Sequence, residues 1–332
     1  MSKFTVAGIE CGPLGLGLMG LTLREEPIPD EQAFAVMERA IALGANCFNT
    51  GEFYGSNEPT ANLKLLGRFF TKYPKYAERV CLSVKGALDI ATRTLDGSPE
   101  GVRKSVSNCA GLLQGKKIDM FECARVDPKV PIETTMMGMV QLKEEGLIGG
   151  ISLSEVGATT IKRAAEVTTI SAVEIEFSMW CTEALDNGVL QTCADLGITV
   201  LAYSPLGRGF LTGQYKSRED IPKDSRKLFD QFSEENFQTN LNLASEIFKI
   251  AAKRGLTPAQ LALAWIKKYE EVIPGLKIIP IPGCTTIARV EENFSSVGKL
   301  GDSEFAELNT LLNTSHPQGG RYNSNFAIQL WA

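Results

Sequence analysis

The side chains able to do chemistry in this chain sit at the ends of short apolar runs. Tyr54 closes the stretch Gly44-Ala45-Asn46-Cys47-Phe48-Asn49-Thr50-Gly51-Glu52-Phe53-Tyr54-Gly55. It lies just beyond Cys47-Phe48-Asn49, which reads as a strand buried in a parallel sheet and ended by Thr50-Gly51. Lys85 ends a second such run, Val80-Cys81-Leu82-Ser83-Val84-Lys85. A tyrosine past the carboxyl end of a strand is on the rim where (β/α)8 barrels build their sites. Taken alone it is a half-buried amphipathic residue, and a strand-end lysine taken alone reaches solvent. The absences narrow the chemistry. The single histidine is His316, which argues against His-based metal centres and Ser-His-Asp catalysis. The eight cysteines, at 11, 47, 81, 109, 123, 181, 193 and 284, contain no Cys-x-x-Cys pair, so buried thiols are expected in place of zinc or a redox dithiol.

The elements that must position these residues follow from periodicity. Asp30 is read as the cap of a helix carrying Phe34, Met37, Ala40 and Ile41 at helical spacing, and Gly44 as its left-handed stop. Further strands are expected at 118–125, 148–154, 172–177, 198–205 and 277–283, with a last short one near Val297. Helices are expected after Ser98-Pro99-Glu100 and Pro131-Ile132-Glu133, over 159–167, around 188–196, and over 258–268 and 303–312. A polar insertion from Gln214 to about Asn240 interrupts the rhythm. Eight strand-helix steps favour a closed α/β barrel, a (β/α)8 TIM barrel, over an open doubly wound sheet. Gly15-Leu16-Gly17-Leu18-Met19-Gly20 spells the dinucleotide fingerprint G-x-G-x-x-G, but Pro27 and Pro29 follow with no helical pattern between, so the Rossmann reading is set aside. The run is read as a glycine-rich β-hairpin under the domain with a loop leading out.

At 332 residues with 44% hydrophobic content, and with no Pro/Gly/Ser-rich linker, the chain is read as one barrel domain over 1–332 with an N-terminal hairpin and a C-terminal tail. The net charge of -5 with scattered Lys and Arg argues against nucleic-acid and membrane partners. No apolar run approaches membrane-spanning length and no signal-peptide core follows Met1, so a cytosolic protein is expected, with nuclear entry open. Oligomeric state is left open.

With these elements placed, the chain resembles the aldo-keto reductase superfamily along nearly its whole length. Phe48-Asn49-Thr50-Gly51-Glu52-Phe53-Tyr54-Gly55 is similar to the family's F-D-T-A-x-x-Y-G, and Lys85 stands where its catalytic lysine ends the next strand. Ser204-Pro205-Leu206-Gly207-Arg208-Gly209-Phe210-Leu211-Thr212-Gly213 resembles its pyrophosphate loop. Pro280-Ile281-Pro282-Gly283 and Arg289-Val290-Glu291-Glu292-Asn293 complete the set. The resemblance implies hydride transfer from NADPH to a small-molecule aldehyde, with Tyr54 as proton donor and Lys85 lowering the pKa of its phenol. It implies that Tyr203 stacks on nicotinamide, that Ser154 and Glu174 hold the carboxamide, and that Gly17, Leu18 and Met19 line the ring. Ser204, Pro205, Leu206, Gly207, Gly209, Leu211 and Gly213 would wrap the pyrophosphate, near Gly283. Thr285 and Arg289 would take the 2′-phosphate, and Glu292 and Asn293 the adenine. Phe53, Arg125 and the tail residues Arg321 and Tyr322, within Gly319-Gly320-Arg321-Tyr322-Asn323, are candidates for the substrate.

The chain departs from the family's Asp-Tyr-Lys-His tetrad, having Asn49 for the aspartate and Ala124 for the histidine. Lys85 is therefore expected to lack a counter-charge and keep only a neutral hydrogen bond from residue 49. Glu174 stands where many relatives have glutamine. These departures, with Ala61-Asn62-Leu63-Lys64-Leu65-Leu66 and Cys123-Ala124-Arg125-Val126-Asp127-Pro128, most resemble the fungal pyridoxal reductase branch, which implies reduction of pyridoxal to pyridoxine. A general aldehyde or ketone reductase, and an NADPH-binding regulatory subunit like the potassium-channel β-subunits, stay open as alternatives.

Overall fold

The computed structural model describes residues 4–89, 92, 94–222, 224–295, 300–322 and 330–332. The chain opens with an antiparallel hairpin, β1 (Phe4–Val6) and β2 (Ile9–Cys11). Eight parallel strands follow: β3 (Leu16–Gly17), β4 (Cys47–Gly51), β5 (Cys81–Gly86), then, after a short hairpin β6 (Leu88–Asp89) and β7 (Thr94–Leu95), β8 (Ile118–Cys123), β9 (Ile148–Ser154), β10 (Ala172–Glu176), β11 (Thr199–Tyr203) and β12 (Lys277–Pro280). They pair in chain order. The ring closes between its first and last members, where the Gly15 amide donates to the Pro280 carbonyl at 2.9 Å and the Gly17 amide to the Pro282 carbonyl at 3.1 Å. The fold is a (β/α)8 barrel. The glycine run is its first strand, and the expected hairpin lies upstream of it. Val297 falls outside the described residues, and β3 supplies the eighth strand.

The surrounding helices are α1 (Asp30–Ala42), α2 (Ala61–Lys72), α3 (Pro99–Leu112), α4 (Ile132–Glu144), α5 (Ala158–Val167), α6 (Val189–Asp195), α7 (Glu234–Lys253), α8 (Pro258–Val272), α9 (Ile287–Ser295) and α10 (Asp302–Thr314). Ser98 caps α3 through the Gly101 amide, and Gly44, at φ 90°, ends the turn after α1. Asp30 does not cap α1. It is the first helical residue, and its carboxylate takes Arg68 of α2 through two bonds of 2.6 and 2.7 Å. The expected insertion runs through short 3-10 turns only to Ser233, whose hydroxyl caps α7. Phe237, Ala244, Ile247 and Ala251 bury one face of that helix at a spacing visible in the sequence.

Strand alternation stratifies the barrel interior. The floor is apolar: Cys47, Cys81, Met120, Ala172, Leu201 and Ile279, plugged from below by Val6 and Cys11 of the hairpin. Two residues further along β4, β5, β8 and β10 the positions turn polar and stay buried: Asn49, Ser83, Glu122 and Glu174. Two further still come Gly51, Lys85, Ala124 and Glu176, with Tyr203 on β11. The polar layers thus begin halfway up a closed cylinder and open only at the carboxyl rim. All eight cysteines are buried and free, and among the described residues no group of His, Cys, Asp and Glu could hold a metal ion.

The closing seam has no room for a side chain, since a Cβ on Gly15 would lie 2.6 Å from the Cys47 carbonyl oxygen and 2.8 Å from Ile281 Cγ2. Gly15→Ala is expected to cost about 1–3 kcal/mol, the range for overpacking a tight interior. Denaturant unfolding checks this, and an unchanged midpoint would contradict the closed seam.

Candidate active site

Register places the reactive groups. Gly51 of β4 pairs with Lys85 of β5, so Tyr54 begins its loop three residues beyond the lysine's lateral partner. The loop turns back at once, its Tyr54 amide donating to Gly51 O at 3.3 Å. A Cβ on residue 51 would sit 3.0 Å from the Tyr54 ring, so glycine here lets the phenol lie flat over the strand end. The Tyr54 carbonyl accepts from Thr22 Oγ1 at 2.5 Å. Asn62 of α2, fully buried, donates to Thr22 Oγ1 and to the Leu18 carbonyl and accepts from Thr50 Oγ1. This internal network fixes the tyrosine loop to the first strand. Neither Asn62 nor Thr22 stands out chemically in the sequence, although Asn62 lies in a quoted motif.

The structure corrects the expectation that Lys85 lacks a counter-charge. Its Nζ donates to Glu174 Oε1 at 2.6 Å, across the barrel interior, and Asn49 Nδ2 donates to Glu174 Oε2 at 2.5 Å. The carboxylate lost at position 49 is replaced by one at 174, with the asparagine amide bonding the second oxygen. Both Glu174 oxygens are thus engaged below the rim, whereas the resemblance assigns this residue to the carboxamide. Burial works against the charged form of Lys85, but the Glu174 carboxylate outweighs it and holds the ammonium well above its ordinary value. Burial would raise the Glu174 carboxyl, yet the ammonium and its hydrogen bonds hold it below the usual carboxylate range.

Burial, joined by the negative charge of Glu174, pushes the Tyr54 phenol up to about 12, outweighing the downward pull expected of Lys85 and shared by Arg125. The ammonium alone would make the phenol more acidic, but its partner carboxylate largely cancels that effect. Tyr54 is therefore a neutral O–H donor across the physiological range.

Around this centre the rim carries the other predicted residues. Tyr203 ends β11 with its ring 5.5 Å from Lys85 Nζ. Ser154 Oγ is buried without a hydrogen-bond partner at the end of β9. Phe53 packs edge-on against Tyr54, centroids 5.4 Å apart. Arg125 lies beside Ala124, donating from one terminal nitrogen to the Ala124 carbonyl at 2.6 Å while its Nε is buried and unpartnered. The loop from Ser204 to Gly213 is strongly kinked, with left-handed backbone at Ser204, Gly207, Arg208, Gly209 and Gly213. A Cβ on Gly209 would fall 2.3 Å from Tyr215 Oη. Pro205 and Leu211 are buried and Leu206 half-buried.

Arg289, exposed on α9, bonds Gln214 at 2.5 Å, which brings the helix against the end of the kinked loop. Thr285 and Glu292 are half-buried and Gly283 is exposed, while Asn293 is buried with its amide on Cys284 Sγ. Met19 is exposed at the rim. Leu18 is fully buried, its amide donating to the Asn49 carbonyl and its carbonyl accepting from Asn62.

In the tail, Arg321 is held by ion pairs. It is buried among acids, 2.9 Å from Glu155 Oε2, 3.4 Å from Glu176 Oε2 and 3.6 Å from Glu183 Oε2. Glu155 carries a left-handed backbone (φ 55°), and Glu176 also accepts both Arg208 nitrogens, at 3.1 and 2.8 Å. Glu176 thereby joins the tail to the kinked loop. Tyr322 does reach the site, its hydroxyl 3.1 Å from that of Tyr203. Asn323 lies outside the described residues.

The orphaned Ser154 hydroxyl, the aromatic face of Tyr203, the glycine-bearing loop and the exposed Arg289 form a chain of groups suited to a nicotinamide dinucleotide laid across the rim. A model of the "Aldo/keto reductase family" matches residues 13–313. The chain is 44% identical over 333 residues to "Probable pyridoxal reductase 2" of Schizosaccharomyces pombe, covering 98% of each. It is 42% identical to a Saccharomyces cerevisiae protein also named for pyridoxal reduction, covering 93% of this chain and 95% of the other. Among solved structures, a glycerol dehydrogenase from Gluconobacter oxydans superposes with a TM-score of 0.81 at 22% identity, covering 96% and 97% of the two chains.

Replacing Glu174 by Gln leaves the ammonium without its 2.6 Å partner. Breaking a buried pair costs about 3–5 kcal/mol. The low end is expected, because Glu122, 3.9 Å from Lys85, can ionise in its place. Since the Glu174 carboxyl is depressed, its stabilisation is present above the ordinary carboxylate range and lost as pH falls through the folded value. Denaturant melts of wild type and Glu174→Gln should differ at neutral pH and converge on the acid side. A constant difference would exclude Glu174 as the titrating partner.

Proposed function

The chain belongs to the aldo/keto reductase family, and from that premise we propose that it reduces pyridoxal to pyridoxine with NADPH, Tyr54 donating the proton. The observation that carries this reading is the neutral, buried Tyr54 phenol beside the Lys85–Glu174 pair. When bound, NADPH supplies the hydride. Tyr203 offers a face for the nicotinamide, the free Ser154 hydroxyl a partner for its carboxamide, and Thr285 and Arg289 the donors that distinguish a 2′-phosphate from a hydroxyl. As negative charge grows on the carbonyl oxygen, Tyr54 passes it a proton, and Lys85 stabilises the phenolate left behind.

With Ala124 in place of an imidazole, the second donor to that oxygen is Arg125, whose Nε is buried without a partner and whose charge acts directly on Tyr54. The hydroxyl beside the aldehyde of pyridoxal is a further donor, carried by the substrate. The names of the two yeast relatives support pyridoxal as the aldehyde.

Loss of NADPH absorbance with pyridoxal is expected for the wild type and abolished by Tyr54→Phe. A substrate panel including nitrobenzaldehydes separates a pyridoxal reductase from a general aldehyde reductase, and binding of NADPH without turnover of any aldehyde would indicate a regulatory subunit. Arg125→Ala is expected to lower kcat/KM by about 10²–10³-fold, as for loss of one donor to a developing oxyanion. An unchanged rate would return that role to the substrate's own hydroxyl. Arg289→Ala should raise KM for NADPH while leaving that for NADH little changed, and equal effects on both would remove the 2′-phosphate assignment.

A further inference from the structure

Arg208 stands inside the kinked loop assigned to the pyrophosphate, where a guanidinium is the natural phosphate ligand. Its contacts point elsewhere. Nε and Nη2 donate to the two oxygens of Glu176 at 3.1 and 2.8 Å, and the side chain is only 10% exposed. The guanidinium lies 4.2 Å from the Phe229 ring centroid and 4.8 Å from that of Tyr322, two rings packed edge-on at 5.4 Å. A carboxylate thus takes its fork, and an aromatic corner takes its plane.

The backbone carries this side chain at a cost. Arg208 is left-handed, at φ 55° and ψ 24°, between Gly207 and Gly209, which are also at positive φ. A third glycine would make the same turn with less strain. The Arg208 carbonyl is held by Tyr215 Oη at 2.9 Å, and the side-chain contacts offset the remainder.

Those contacts form a closed circuit. Glu176 ends β10 and is the register partner of Tyr203, which ends β11. Arg208 returns from the loop to Glu176 and packs on Tyr322. The Tyr322 hydroxyl meets that of Tyr203 at 3.1 Å, and among the described residues it is the hydrogen-bond partner of that group. Arg321, beside Tyr322, reaches the same Glu176 at 3.4 Å, so the tail is pinned where the circuit begins.

We propose that Arg208 is a positioning residue for the nicotinamide: it holds Tyr322, whose hydroxyl sets the Tyr203 ring, and it does not bind the pyrophosphate. This rests on the reductase reading above, in which Tyr203 is the face for the nicotinamide. The pyrophosphate is left to the backbone amides of the loop.

The test compares NADPH with 2′-phospho-ADP-ribose, which keeps the pyrophosphate and the 2′-phosphate and lacks the nicotinamide. Both are titrated by calorimetry, with no aldehyde present. Arg208→Gln is expected to weaken NADPH about 10-fold, the size of one positioning hydrogen bond, and the fragment less than about 2-fold. Tyr322→Phe removes a single hydroxyl and should show the same pattern. The double variant should lose no more than Arg208→Gln alone, because both changes act along one path. Hydride transfer to 4-nitrobenzaldehyde in a single turnover should slow about 10-fold in each variant, less than the roughly 10²-fold that a 1 Å misplacement can cost.

Equal losses for NADPH and the fragment in Arg208→Gln would make Arg208 a pyrophosphate ligand and overturn the proposal. Full NADPH affinity and full hydride-transfer rate in Tyr322→Phe would also overturn it, and this arm decides the matter if Arg208→Gln does not fold. Wild type that binds neither compound overturns the cofactor reading and this role with it. Wild type that binds NADPH but reduces neither pyridoxal nor 4-nitrobenzaldehyde overturns the reductase reading, and the two affinities still decide the positioning role.

Discussion

An ammonium and a carboxylate buried against each other inside the barrel, Lys85 and Glu174, constrain everything around them. Neither could be buried singly at tolerable cost, and together they leave the polar layer close to neutral. That neutrality keeps the Tyr54 phenol protonated. The pair also ties β5 to β10 across the cylinder, so the position of Lys85 under the tyrosine is set from two walls at once.

The same logic repeats at the rim with opposite arithmetic. There Glu155, Glu176 and Glu183 surround Arg321, and Glu176 shares its charge with Arg208. Two cations on chain segments far apart in sequence, the tail and the kinked loop, converge on acids that end β9 and β10. The irregular segments that frame the cofactor face are thereby held by ion pairs built on rigid strands. The strained backbone of Glu155 is tolerated because its carboxylate also receives the Glu176 amide at 2.9 Å.

Much of the fold is legible in the sequence because buried parallel strands are short apolar runs with sharp ends. β9 has the predicted bounds at both of its ends, 148 and 154. α7 is less visible: its exposed face is rich in Glu, Asn and Gln, and that polarity masks a helical spacing which a strict count would recover. The eighth strand is misplaced because Leu16–Gly17 is only two residues long and carries a fingerprint belonging to another fold. In the site, Tyr54 and Lys85 are readable from their strand ends. The Lys85–Glu174 bond joins residues 89 apart, and no local pattern announces a pairing across a barrel. Glu174 and Asn49 are each visible as departures, but that the first compensates the second requires coordinates. Arg321 has the residue type of a ligand-binding group, and only the surrounding acids reveal it as a clamp.

The most direct measurement of the charge-replacement account is a swap of the two positions. Asn49→Asp, Glu174→Gln and the double variant would be compared for unfolding free energy and for aldehyde-dependent NADPH oxidation. Each single change alters the number of buried carboxylates beside Lys85 and is predicted to impair both properties, whereas the double change restores one carboxylate facing one ammonium and should recover most of the loss. Strictly additive defects in the double variant would contradict the claim that Glu174 has taken over the charge that Asn49 lacks.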